Sequence, residues 1–200
     1  MYTRAMDYQT KTNLMLPFRG TWMVSNGGRT EETNNHIKFA NGDGPKNQIY
    51  AYDFRRGHTG EGKRLEDYDV YGEEVIASGD GVVIQVINGA IDVLPGERDR
   101  AVGAGNTVII DHGNGEYSVL CHFKFNSIQV KVGDHVLQGD LLGLCGNTGN
   151  TSEPHIHYHL QDGPRMHTAN ALPAQFDKII VDGEVKTNFE PIRKQMVANT

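Results

Sequence analysis

Short apolar runs separated by glycine, asparagine and aspartate dominate the chain from residue 74 onward. Runs of this length bounded by turn residues are typical of β-strands. An Asn-Gly pair at Asn114 and Gly115 lies between two of the runs and indicates a hairpin, because both residues can adopt positive φ. The main expected strands cover residues 75–77, 82–87, 107–110, 117–123, 128–132, 141–144 and 156–160. Few windows show helical periodicity, so the pattern predicts a mainly β protein with little helix.

The two ends of the chain are less regular than its centre. Residues 25–47 are rich in asparagine, glycine, threonine and aspartate, which favours a long loop, and an aromatic strand is expected at residues 49–54. The length of the chain suits a single domain, which is expected over residues 1–200. Its expected parts are an N-terminal arm at 1–13, a core at 14–176, and a C-terminal hairpin and tail at 177–200.

Composition and charge exclude several classes of protein. The chain has 200 residues, of which 24 are glycine, and this suits one turn-rich β domain. A net charge of −6 without a cluster of lysine and arginine argues against a nucleic acid partner. No apolar run approaches the roughly 20 residues that span a bilayer. Cys121 and Cys145 are expected either to pair or to be buried thiols.

The first seven residues lack the apolar segment of a signal peptide. The simplest expectation is a cytoplasmic protein. The alternatives are a signal or anchor upstream of this sequence, or another route out of the cell.

Three histidines alternate in the segment PHIHYH at residues 154–159. Alternate residues of a strand face the same side, so His155, His157 and His159 are expected to project together. Histidine is the commonest metal ligand, and crowded imidazoles lose affinity for protons, which favours a metal. An ordinary surface cluster of histidines is the alternative. We interpret the segment as part of a metal site.

A catalytic zinc ion usually takes three protein ligands and a water molecule, so more ligands are needed. His36 lies ahead of the 49–54 strand, and Asp53 lies near the end of that strand between two aromatic residues. An acid in such apolar surroundings needs a partner. His122 ends an apolar run, where a hydrogen-bonded structural histidine is the alternative. The remaining histidines lie in turns and are expected at the surface: His58, His112, His135 and His167.

Four segments in this order resemble the lysostaphin/LytM-type zinc endopeptidases, which cut peptide bonds in bacterial peptidoglycan. The resemblance covers roughly residues 14–176. The segments are NH at 35–36 followed by AYDF at 51–54; VIASGDGVV at 75–83; His122 followed by VGDHVLQGD at 132–140; and GNTG at 146–149 leading into PHIH at 154–157. Separately, all but the last are weak signals, whereas the combination is specific.

The resemblance implies that His36, Asp53 and His157 bind one Zn²⁺ ion and that His122 and His155 are catalytic. It implies a zinc-bound water as the nucleophile and an open antiparallel β-sheet or sandwich-like core whose long loops wall an active-site groove. Stem or cross-bridge peptides of peptidoglycan would be the substrate, either at Gly-Gly bonds or at D-Ala cross-links. Location in the cell envelope or secretion would follow. A monomer is expected.

Two departures from the family pattern concern the metal site. The spacing between His36 and Asp53 is longer than the family's usual spacing, and His159 stands where a carboxylate is frequent. An inactive zinc-binding scaffold or regulator is an alternative function, although inactive members typically lose ligands or catalytic histidines and this chain keeps all five positions. Residues 130–143 also resemble the hammerhead of biotinyl and lipoyl carrier domains, but the turn at 146–149 lacks the lysine that a carrier requires.

Overall fold

The computed structural model describes residues 7–42, 44 and 46–200, so residues 1–6 of the expected arm lie outside the described part. Within these residues the chain forms one α-helix, two short 3-10 turns and thirteen strands. The helix is α1 (Asn35–Asn41), and the 3-10 turns are Lys46–Gln48 and Leu65–Asp67. The strands are β1 (Trp22–Asn26), β2 (Tyr52–Arg55), β3 (Glu74–Ile76), β4 (Gly81–Ile87), β5 (Asn106–Asp111), β6 (Tyr117–Phe123), β7 (His135–Val136), β8 (Leu141–Leu144), β9 (Ile156–Gln161), β10 (Ala171–Leu172), β11 (Phe176–Val181), β12 (Glu184–Phe189) and β13 (Met196–Asn199).

Eleven of the described strands form one sheet, in the order β12-β11-β13-β1-β2-β9-β6-β5-β4-β7, with β10 paired to β9. Strands β3 and β8 form a separate two-stranded sheet. The strand pairs are antiparallel, as in β2 with β9 and β6 with β9. The expectation of a mainly β, antiparallel fold with little helix is confirmed.

The two faces of the central strands carry different residues. On one face, Ile156, Tyr158 and Leu160 of β9 pack into the main hydrophobic core with aromatic residues of β1, β2 and β11. Strand alternation sends His157 and His159 to the other face, where they are also buried. The same face also buries Val119 and Cys121, which lie opposite His159 and His157, and it contains the candidate site.

Two segments differ from the sequence-based expectation. The polar stretch expected to be a loop contains α1, which begins after Asn34, whose side-chain oxygen accepts a hydrogen bond from the His36 backbone N–H. The expected C-terminal tail instead ends in β13, which pairs with β1 and β11. Burial of Val197 between these strands supplies the apolar contact that a free tail would lack.

Two further expectations concern the cysteines and membrane spanning. Cys121 and Cys145 are both buried and free rather than bridged. Burial raises the pKa of the Cys121 thiol to about 12, so this thiol is protonated at neutral pH. In the described residues, no helix has the length and apolar character needed to cross a bilayer.

Candidate metal centre and catalytic histidines

The centre of the site is strand β9, which lies between β2 and β6. His157 is directly opposite Asp53 of β2 and directly opposite Cys121 of β6. Residues directly opposite each other in an antiparallel pair have their side chains on the same face. The pairing therefore brings Asp53 and His157 together although they are far apart in sequence.

The carboxylate of Asp53 contacts three histidines and an asparagine. Its Oδ1 lies 2.9 Å from His157 Nδ1 and 3.5 Å from His155 Nε2. Its Oδ2 lies 3.0 Å from His36 Nε2 and accepts a hydrogen bond of 2.7 Å from the side-chain amide of Asn26. The Asn26 contact orients the carboxylate, so both of its oxygens face the imidazoles.

His36 reaches Asp53 because the long segment between them is held by a buried asparagine. The Asn34 side chain caps α1 through the His36 N–H, and its amide nitrogen donates to the carbonyl groups of Gly28, Ile49 and Ala51. These bonds fix the first turn of α1 beside the start of β2. The longer spacing between His36 and Asp53 is therefore accommodated by a capped helix, and the two side chains still meet.

His122 enters the site through a β-bulge. Strict alternation along β6 would turn His122 toward the same face as Leu120, which lies in the main core. The β5–β6 register instead shifts beside His122, which has φ of +65°. A bulge with this conformation redirects a side chain and is strained for a residue other than glycine. As a result, the His122 ring lies 4.9 Å from the ring of His155 and 5.8 Å from that of His157.

The rings of His122 and His155 are oriented by backbone carbonyl groups. His122 Nδ1 lies 2.7 Å from the Thr148 carbonyl oxygen, and His155 Nδ1 lies 2.9 Å from the Glu153 carbonyl oxygen. A carbonyl only accepts, so each Nδ1 carries the proton. In the neutral form of each ring, the unprotonated nitrogen is therefore Nε2.

The acid–base properties of the groups differ. Burial alone would raise the pKa of Asp53, but His36, His155 and His157 outweigh it and hold that pKa well below its usual range. Burial, reinforced by the neighbouring histidines, holds the pKa of His122 well below that of a free imidazole. Burial also lowers the pKa of His157. For His155 burial would lower the pKa, but Asp53 outweighs burial and raises it.

A chain of hydrogen bonds leads from His157 away from Asp53. Gln161 Nε2 donates to the Gly163 carbonyl at 2.7 Å, so its Oε1 faces His159 Nε2 at 3.1 Å and accepts that proton. His159 Nδ1 is then an acceptor, and at 3.1 Å it receives the proton of His157 Nε2. This order leaves His157 Nδ1 without a proton, facing Asp53.

A small polar cleft of about 150 Å³ opens beside Asp53 and His155. Arg55 and Glu153 line it and form an ion pair with each other. Arg193, from the turn between β12 and β13, also lines the cleft.

The model of a family described as Peptidase family M23 matches residues 63–169, just over half of the chain. The chain belongs to peptidase family M23. The matched region contains His122, His155 and His157 but begins after His36 and Asp53. The peptidases of this family are zinc metallopeptidases, so the expected zinc cofactor and hydrolase class are confirmed at the level of the family.

Two curated relatives show how far the similarity extends. The peptidoglycan DD-endopeptidase ShyA of Vibrio cholerae is 39% identical over 89 residues, which is 44% of this chain and 17% of ShyA. Endolysin 2638A of Staphylococcus phage 2638A is 30% identical over 169 residues, which is 80% of this chain and 28% of the endolysin. The chain thus matches less than a third of the length of either relative.

Among solved structures, the fold resembles the catalytic domain of the prophage-encoded M23 protein EnpA from Enterococcus faecalis. The TM-score is 0.50 at 20% identity, and the match covers 78% of this chain and 92% of that one. At this identity the likeness concerns the fold, and it supports the antiparallel β architecture of this M23 chain.

The residues of this M23 chain fit a zinc ion. Ligand atoms of His36, Asp53 and His157 lie within 4.8 Å of one another, as do those of His122, His155 and His157. The first set has the mixed nitrogen and oxygen donors of catalytic zinc sites. His157 Nδ1 and Asp53 Oδ1 lie 2.9 Å apart, a separation at which both atoms can bind the same ion.

Sequence reasoning missed several residues that orient the site: Asn26, Asn34, Thr148 and Gln161. Asparagine, threonine and glutamine have no charge that marks them in a single sequence, and their partners lie elsewhere in the chain. Of the histidines expected at the surface, His112 instead bonds to the Asp80 carbonyl and the Ser118 hydroxyl at 2.7 and 2.8 Å. His112 is thus engaged in structural hydrogen bonds outside the site.

Proposed function

We propose that this chain is a zinc-dependent endopeptidase that hydrolyses peptide bonds in bacterial peptidoglycan. One observation carries the proposal: two histidines whose Nδ1–H groups donate to backbone carbonyls, His122 and His155, lie beside a possible set of metal ligands. That set is His36, Asp53 and His157. Membership of family M23 and similarity to a relative named as a peptidoglycan DD-endopeptidase support the substrate class.

In this proposal His36, Asp53 and His157 hold the zinc ion. A bound zinc ion would polarise the scissile carbonyl and lower the pKa of a water molecule. The carboxylate of Asp53 contributes one negative charge and is kept ionised by its low pKa. The site therefore stays net positive when loaded, which favours the negative charge that develops on the carbonyl oxygen during peptide hydrolysis.

His122 and His155 are proposed as the catalytic residues. Each ring has its Nδ1 proton committed to a backbone carbonyl, so proton exchange is directed to Nε2. His122, whose pKa is low, is neutral at pH 7 and suited to accept a proton from the attacking water. Proton transfer to the leaving amine, or a hydrogen bond to the developing oxyanion, is assigned to His155. General acid–base help of this kind contributes about 10²–10⁴-fold to rate.

The test combines metal content with turnover in single variants. We expect about one zinc ion per purified chain, as in other catalytic zinc sites. The zinc should be lost in His36→Ala, Asp53→Ala and His157→Ala. His122→Ala should retain the zinc and lose about 10²–10⁴-fold in hydrolysis of purified peptidoglycan. The exposed His167→Ala is the matched control and should behave as wild type.

Two results would contradict the proposal. A wild-type chain that holds no zinc after incubation with the ion would remove the metal site. Zinc binding without hydrolysis of any peptidoglycan preparation would favour the inactive scaffold or regulator considered above. Three further statements stay predictions: the chain is a monomer, it forms a single domain, and it has no nucleic acid partner.

A further inference from the structure

We propose that Arg193 forms a carboxylate-binding subsite beside the catalytic centre. It would select peptides whose leaving residue carries a free carboxylate next to the scissile nitrogen. This inference rests on the endopeptidase function proposed above and names a substrate class within it. The residue comes from the C-terminal segment, outside the part of the chain that the family model matches.

The position of Arg193 supports such a subsite. It lines the same small cleft as Asp53 and His155, which places this arginine beside the proposed catalytic centre. Arginine is well suited to carboxylates, because its planar guanidinium can donate two parallel hydrogen bonds.

The charges that line the cleft also support the subsite. Among the charged residues that line the cleft, Arg55 and Glu153 pair with each other. Asp53 is surrounded by histidines. Within the described part of the chain, Arg193 has no ion-pair or hydrogen-bond partner. The cleft wall therefore presents one uncompensated positive charge to a substrate.

The backbone that carries Arg193 is held by hydrogen bonds to a neighbouring strand. The turn at residues 192–195 is fixed to β1 by two backbone hydrogen bonds: Lys194 N–H donates to the Val24 carbonyl at 2.8 Å, and Val24 N–H donates to the Gln195 carbonyl at 2.9 Å. Pro191, the residue before this turn, lies close to Gly27. A Cβ on residue 27 would come within 2.9 Å of the Pro191 carbonyl oxygen, so glycine permits this approach. The arginine thus projects from a supported turn and not from a free tail.

The chemistry of the substrate follows from the charge. In an ordinary main chain, the carboxyl group next to the scissile nitrogen is consumed in the following peptide bond and is neutral. It is free when the leaving residue ends a chain, or when the leaving amine belongs to a diaminodicarboxylic acid in a cross-link. A Gly-Gly bridge offers no such charge, so Arg193 disfavours the Gly-Gly alternative.

The experiment uses the zinc-loaded full chain and synthetic peptides in matched pairs. One pair is a D-Ala cross-link to a diaminodicarboxylic acid, and the other is a stem peptide ending in D-Ala-D-Ala. Each is prepared with the carboxyl group free and as its amide, and a pentaglycine peptide is included. The two pairs distinguish a cross-link from a chain terminus as the source of the carboxylate.

Wild type should prefer the free carboxylate over the amide in at least one pair. Arg193→Gln should raise KM on that carboxylate about 10- to 100-fold, the usual effect of losing a hydrogen bond to a charged group. It should leave the amide unchanged. Arg193→Lys should recover part of the loss. Lys194→Gln, which removes the neighbouring charge of the same turn, is the control and should match wild type.

Equal wild-type activity on carboxylate and amide in both pairs would overturn the subsite, as would an equal loss on both forms in Arg193→Gln. If zinc-loaded wild type hydrolyses no peptide, the proposed endopeptidase function fails, and the subsite is judged by calorimetric titration of the same peptides. A carboxylate preference that Arg193→Gln abolishes would uphold the subsite. Binding without preference, or no binding, would overturn it.

Discussion

Three histidines of the site each use one ring nitrogen in a hydrogen bond within the protein, which leaves the other ring nitrogen available. His122 and His155 donate Nδ1–H to carbonyl groups and so expose Nε2, whereas His157 donates Nε2–H to His159 and so exposes Nδ1. The two tautomers differ because the neighbouring acceptor lies beside Nδ1 in His122 and His155 but beside Nε2 in His157. Gln161 is the origin of the second arrangement, because its amide nitrogen is fixed by the Gly163 carbonyl.

At the scale of single residues, His159 is expected to influence the proposed zinc site through its hydrogen bond with His157. His159→Phe should weaken zinc binding about 10- to 100-fold, the usual effect of losing a hydrogen-bond partner of a metal ligand. The reason is that His157 loses the acceptor that keeps its proton on Nε2. Competition with a zinc chelator measures the affinity, and long-range ¹H–¹⁵N spectra of wild type should show His157 protonated at Nε2. Protonation at Nδ1 in the zinc-loaded protein would contradict the assignment.

At the scale of secondary-structure elements, a β-bulge interrupts the regular alternation of side chains. The alternation of β9 gives the shared face of His157 and His159 directly, and the sequence predicts it. His122 reaches that face only because the register of β5 and β6 shifts beside it. A bulge depends on how two strands meet, so the pattern within β6 alone does not reveal it. The Thr148 carbonyl that orients the His122 ring belongs to the loop before β9, which packs against the loop before β5.

Substitution of Gly105 tests the contact between these two loops. Its φ is +64°, and a Cβ there would lie 2.2 Å from the Thr148 carbonyl oxygen. Gly105→Ala should therefore displace the acceptor of His122 and reduce turnover roughly 10- to 100-fold, because small misplacements of catalytic groups are costly. Zinc content should stay at the wild-type level, since the proposed ligands lie on α1, β2 and β9. Steady-state kinetics and metal analysis measure the two effects.

Gly89→Ala is the control for that substitution. Gly89 lies in the same loop before β5, and a Cβ there would meet nothing within 4 Å. It should leave turnover unchanged. If Gly105→Ala retained full turnover, the Thr148 carbonyl would not be needed to position His122.

Across the whole molecule, both ends of the described chain are attached to the sheet. Strand β13 lies between β1 and β11. The segment before residue 14 is held by Glu116, the residue directly before β6. The buried carboxylate of Glu116 accepts hydrogen bonds from the Tyr8 hydroxyl, the Lys11 N–H and the N–H and hydroxyl of Thr12. Burial would raise its pKa, but these bonds outweigh burial and lower it.

The lowered pKa predicts how stability depends on pH. Glu116 should contribute its full stabilisation above the ordinary glutamate pKa of 4.5, and this should be lost as the pH falls through the lower pKa of the folded state. Glu116→Gln should lower the free energy of unfolding by about 2 kcal/mol at pH 7, because an amide nitrogen would face the donors. The difference from wild type should shrink below pH 4.5.

Denaturant unfolding at several pH values measures this effect. Glu61→Gln is the control, because the Glu61 side chain is 75% exposed and its ion pair within the described residues is with the exposed Lys63. It should change stability little at any pH. A difference between wild type and Glu116→Gln that stayed constant with pH would contradict the role of the Glu116 charge.

The sequence alone predicted the strand pattern and the shared face of His157 and His159, and the resemblance carried by the order of its motifs implied the five residues proposed for the site. Periodicity and ligand chemistry act over a few residues and can be read locally. Only the tertiary structure decided that β9 lies between β2 and β6, that a bulge turns His122, and that β13 completes the sheet. It also decided that Arg193 lines the cleft. These features depend on contacts between residues far apart in sequence, whose energies no local pattern encodes.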